Sequence, residues 1–131
     1  MAKLTKDELQ GIFQAVKKEV AAFEKGDLKA QMDTDEKYDL SSVKKGIVAL
    51  GKPRPMMNLV TIVLHSNRVV VHYLPLYTNE EEVIKQLSPE LLKQLKAKTC
   101  FHIEATDKET MKGIKQAMKV GIDVYKKNGW L

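Results

Sequence analysis

Apolar residues recur at helical spacing near the start of the chain: Leu9, Ile12, Phe13, Val16, Val20 and Phe23 form one stripe and predict a helix over 6–25. Thr5-Lys6-Asp7-Glu8 opens it as a capping box, the Thr5 hydroxyl taking one orphan amide while Glu8 reaches back to another. Gly26 closes it. From 27 to 57 the periodicity weakens. Leu28, Ala30 and Met32 alternate with Lys29 and Gln31, Asp33 to Lys37 reads as a turn, and Tyr38 to Ser42 as a returning strand. Gly51-Lys52-Pro53-Arg54-Pro55 is neither helix nor central strand, because its prolines lack donors and restrict their predecessors; a loop is predicted.

The strongest β signal follows. Asn58 to His65 and Arg68 to Tyr73 are rich in Val, Ile, Thr and Tyr, with Ser66-Asn67 between them as a two-residue turn. Both arms are apolar at nearly every position, which predicts central strands covered on at least part of both faces. Pro75 ends the ladder. Glu80-Glu81-Glu82 suits a helix N-terminus, and Ser88 with Pro89 starts another. Thr99 to Ala105 reads as a strand. Thr106 or Asp107 then caps a long helix striped by Met111, Ile114, Met118, Ile122 and Tyr125 and ending near Asn128-Gly129. The order predicts an α+β fold: an antiparallel sheet of about five strands packed by N- and C-terminal helices as a two-layer sandwich. One domain over 1–131 is expected, since 131 residues suffice for a single core and leave no room for two.

Composition narrows the class. One cysteine, Cys100, excludes an intramolecular disulfide framework. The charged first residues do not read as a signal peptide, and the longest apolar run, Leu59 to Leu64, falls far short of the ~20 residues of a membrane span. A soluble, cytoplasmic protein is expected. The net charge of +5 is uneven: residues 1–40 hold seven Lys against nine acids, residues 41–131 fifteen Lys or Arg against eight. The second part therefore favours anionic partners, although Lys spaced along helices also suits an ordinary solvated face.

Several constellations could carry chemistry. Cys100 and His102, two apart on a predicted strand, share a sheet face, and His65 and His72 could join from the hairpin. Two ligands do not make a metal site, and α-carbons ~7 Å apart along one strand do not bring thiol to imidazole. Lys52 and Arg54 in the rigid loop and Lys98 and Thr99 before the last strand would converge on an anion if both loops lie at one end of the sheet. His72, Tyr77 and Cys100 would then lie nearby. The acids of the first forty residues offer hard oxygen ligands without a defined spacing. With three Phe, four Tyr and one Trp, no stacking platform for nucleic acid is evident. No Gly-rich phosphate loop is present, and no cofactor is expected.

Lys98-Thr99-Cys100-Phe101-His102-Ile103, the C-terminal Tyr125-Lys126-Lys127-Asn128-Gly129-Trp130-Leu131, His72 to Tyr77 and Leu87 to Leu91 resemble the YdhG-like domain family. The likeness covers roughly 45–131 and implies a sheet-and-helix sandwich in a cytoplasmic bacterial protein. Some members of that family are described as frataxin-like iron chaperones. The expectation from residues and resemblance together is a non-enzymatic binding module for a small anionic ligand or a protein partner, with a metal-binding chaperone as the alternative. Neither a membrane nor nucleic acid is expected as a partner, and the residues leave the oligomeric state open.

Overall fold

A computed structural model describes residues 4–131. Helix α1 (Lys6–Ala21) starts at Thr5, whose side chain accepts from the Glu8 amide while Glu8 Oε1 accepts from the Thr5 amide. It ends four residues before the predicted 25, and Gly26 takes the left-handed conformation (φ 56°) that turns the chain toward the sheet. Strands β1 (Leu28–Asp33) and β2 (Lys37–Ser42) follow. A short ribbon of β3 (Ile47–Ala49) and β4 (Lys52–Arg54) comes next, then β5 (Met57–Leu64) and β6 (Val69–Tyr73). Three short helices, α2 (Pro75–Thr78), α3 (Glu80–Ile84) and α4 (Pro89–Leu92), lead to β7 (Cys100–Ile103) and to α5 (Lys108–Lys127), which Asp107 caps.

The five-stranded sheet has the order β1-β2-β5-β6-β7, and every pairing is antiparallel. The α+β sandwich expected from the element order is therefore the fold, with α1 and α5 packed on the sheet. Val20 of α1, Leu91 of α4 and Ile114, Ala117 and Met118 of α5 meet Val60, Val71, Tyr73, Phe101 and Ile103 of the sheet. Buried tyrosines tie the layers together. Tyr73 Oη donates to the Ala117 carbonyl and Tyr125 Oη to the Asn58 carbonyl, which satisfies hydroxyls that would otherwise be costly to bury. No described helix is long and apolar enough to cross a membrane.

Three local expectations are refined. The predicted loop at 51–55 contains β4, because a two-stranded ribbon lets Pro53 sit opposite Val48 without a central ladder bond to supply. Pro75 does end β6, but at the first position of a helical turn, where its missing donor costs nothing. The continuous apolar runs, expected to mark strands covered on at least part of both faces, do so in β6, where Val69, Val70 and Val71 are all buried, whereas in β5 the run reflects a bulge. Register shifts between Leu40 and Ser41, which face Val60 and Asn58, so Leu59 is the extra residue of a bulge. Leu59 and Val60 are both buried, and Asn58 and Thr61 share the opposite face.

Candidate site on the open sheet face

Alternation along the strands sends Tyr38, Leu40, Val60, Ile62, Val69, Val71, Tyr73, Phe101 and Ile103 into the core. Among the described residues the opposite face has no covering layer, and most of its side chains are half exposed, Val70 excepted. The register sets its residues in rows. One row runs Met32, Asp39, Thr61, His72, Cys100, and the next Lys37, Val63, Val70, His102. Beyond them the turn of the β5–β6 hairpin places His65 opposite Arg68, the His65 amide donating to the Arg68 carbonyl.

Two polar clusters organise this face. Asn58 Nδ2 donates to Asp39 Oδ1 (2.8 Å) and lies 3.2 Å from Thr61 Oγ1, while the buried Ser41 hydroxyl donates to the same Asp39 oxygen (3.0 Å). Across β6 and β7, Cys100 Sγ lies 3.0 Å from His72 Nδ1, and Thr99 Oγ1 is 3.8 Å from the sulfur. Burial first, then the charges of His65, Lys37 and His102, hold the His72 imidazole below its ordinary pKa. A neutral His72 can accept the Cys100 S–H at Nδ1 and keep its proton on Nε2. His102 is lowered likewise, by burial and then by Arg68 and Lys96, with Glu104 opposing. Burial is the main cause for both imidazoles, and nearby cations of the outer face of β5, β6 and β7 add to it.

The structure gathers some of the predicted residues and not others. His72, Thr99 and Cys100 form one cluster, and Lys98 Nζ lies 5.6 Å from the centre of the exposed Tyr77 ring. Lys52 and Arg54 belong to the β3–β4 ribbon, where Arg54 Nε donates to the Ala49 carbonyl (2.9 Å). Among the described residues no hydrogen bond, ion pair or described cavity joins that pair to Lys98 or Thr99. The thiol meets its imidazole across strands, a contact that spacing along one strand cannot reveal. His65 was expected to join from the hairpin, but Lys37 and Arg68 had no motif to mark them; only aligning the hairpin with β2 brings them beside His72 and His102.

Four of the nine acids in the first forty residues are engaged locally. Glu8 serves the helix cap, Glu24 accepts from Tyr38 Oη (3.1 Å), Asp33 pairs with Lys17, and Asp39 is held by Ser41 and Asn58. Among the described residues no three His, Cys, Asp or Glu side chains are placed to hold a metal ion. A trough of about 510 Å³ opens between the start of α1 and the β5–β6 turn, but its Lys6, Asp7 and Glu36 mix both signs of charge. No known protein family, curated protein or solved structure matches the chain.

Proposed function

We propose that the protein is a non-enzymatic binding module that receives an anionic partner on the open face of its sheet. The observation that carries this reading is the convergence of Lys37, His65, Arg68, His72 and His102 on the rows of β2, β5, β6 and β7, cations and imidazoles that burial and then neighbouring charge act on together. Lys37 and His102 stand at opposite ends of a four-strand row, ~14 Å apart at ~4.8 Å per strand, which suits an extended acidic protein surface better than one small ion. The half-exposed, unpaired thiol of Cys100 suits a reducing compartment, so a cytoplasmic location is part of the proposal. So is membership of the YdhG-like family, which rests on the likeness of residues 98–103 and 125–131.

A bound anion favours the imidazolium form, so affinity should rise as pH falls through the imidazole range. Titrating the protein with hexaglutamate should raise the NMR-observed pKa of both His72 and His102 and tighten binding several-fold from pH 7.5 to 5.5. The paired reversal Lys37→Glu and Arg68→Glu should remove the binding. Undiminished binding by that variant, or histidine titrations that ignore the peptide, would sink the proposal.

A further inference from the structure

A second surface, made of other residues, points to a different kind of partner. Between Asp39 and Glu80 the chain contains no acidic residue, while Lys44, Lys45, Lys52, Arg54 and Arg68 lie in that span, so the whole net charge of +5 resides there. Four of these cations flank the β3–β4 ribbon. Within the same ribbon and its exit stand three of the exposed large apolar side chains: Val48 at 61%, Leu50 at 54% and Met56 at 43%. Val48 pairs with exposed Pro53, so the two share the outward side, while Ile47 and Ala49 point inward and are buried.

The ribbon is held firmly for so exposed a feature. Trp130 Nε1 donates to the Val48 carbonyl (2.9 Å), and the Trp130 carbonyl accepts from the buried Ser42 hydroxyl. At its tip Leu50 and Gly51 both take positive φ (54° and 78°), the backbone of a tight hairpin turn that favours Asn-Gly. Leu50 is the one non-glycine residue with positive φ among those described. A leucine there is disfavoured by its Cβ, and with 54% of its surface exposed little burial within the chain offsets that cost. Burial against something outside it would.

We propose that the β3–β4 ribbon is a membrane-docking element that inserts Leu50, Val48 and Met56 into the interface of an anionic bilayer, with Lys44 and Lys45 before the ribbon and the exposed Lys52 beside its tip on the headgroups. A lipid interface sets apolar depth beside negative charge and yields to a convex tip, whereas a protein partner must supply a matching groove. Nucleic acid is less well served, since residues 40–57 contain no aromatic side chain to stack on a base. The sequence-based expectation of no membrane partner rested on the lack of a spanning stretch, which does not bear on a surface-bound ribbon.

The test is co-sedimentation with phosphatidylcholine vesicles with and without phosphatidylglycerol, using the full chain. Wild-type protein should pellet with the anionic vesicles, lose that binding in high salt, and remain free of the neutral ones. Leu50→Gly relieves the left-handed strain, so its melting temperature should rise while vesicle binding weakens roughly tenfold. Lys45→Glu and Lys52→Glu should each weaken it roughly fivefold. Failure to pellet, equal pelleting with neutral vesicles, or undiminished binding by the more stable Leu50→Gly variant would overturn the proposal. So would capture of a short DNA duplex or hexaglutamate in preference to the anionic vesicles by a surface that Leu50→Gly weakens. Because Lys37 and Arg68 take no part in the insertion, their paired reversal separates this outcome from the sheet-face reading.

Discussion

Asn58 acts where the backbone bulge and the polar strip meet. The extra residue at Leu59 turns Asn58 onto the outer face, where its amide joins Asp39 and Thr61 while its carbonyl accepts from Tyr125 Oη. Replacing it with leucine removes the amide but leaves the Asp39 and Thr61 oxygens half buried. Asn58→Leu should therefore lower unfolding free energy by ~1–3 kcal/mol in urea titration. An unchanged midpoint would mean that water replaces the amide without cost. At this scale the sequence marked individual reactive groups, Cys100 and His72 among them, because cysteine and histidine carry their chemistry wherever they lie. It did not mark Asp39, Lys37 or Arg68, whose types are ordinary on any surface and whose importance comes from the neighbours the register provides.

At the scale of elements, helix boundaries were legible because caps are local. Thr5, Ser88 and Asp107 each accept from the backbone amide three residues on, as their positions ahead of apolar stripes predict. The glycines of α5 were not legible, since their role depends on what crosses them. A Cβ on Gly121 would lie 3.0 Å from Tyr73 Oη, 3.1 Å from Pro75 and 3.2 Å from Leu59, and one on Gly113 would lie 2.6 Å from Ser88 Oγ. Ser88 is itself the cap of α4, so displacing it loses a second interaction. Gly113→Ala should destabilise the protein by ~1–2 kcal/mol despite the better helix propensity of alanine, with Gly121→Ala milder. Chemical denaturation decides it; a gain in stability for Gly113→Ala would show that α4 moves aside freely.

For the whole molecule, partial burial of the sheet-face histidines links stability to pH. His72 and His102 bind protons less readily folded than unfolded, so their contribution is complete above the ordinary imidazole value of about 6.5 and is lost as pH falls from there through their depressed folded values. Glu8 and Asp107, lowered by the caps they form at Thr5 and Thr110, act in the same direction below about pH 4.5. The melting temperature should decline in two stages on acidification. In the double variant His72→Gln and His102→Gln the first stage should disappear and the second remain; a first stage that persists would take it away from these two histidines.

What the sequence determined by itself was everything written in short range. Periodicity of 3.6 or 2 assigns residues to helix or strand, caps and prolines set the ends, and the element order selects an antiparallel sheet with helices on it. These follow from backbone geometry and hydrophobic burial over a few neighbouring residues. The tertiary structure alone decided which side of the sheet stays uncovered, that Cys100 meets His72, and that an acid-free stretch projects apolar residues from a ribbon pinned by Trp130. Such contacts join residues far apart in the chain, and the bulge at Leu59 shifts which of them face together. No local pattern encodes that shift, because it arises only when β2 and β5 are laid side by side.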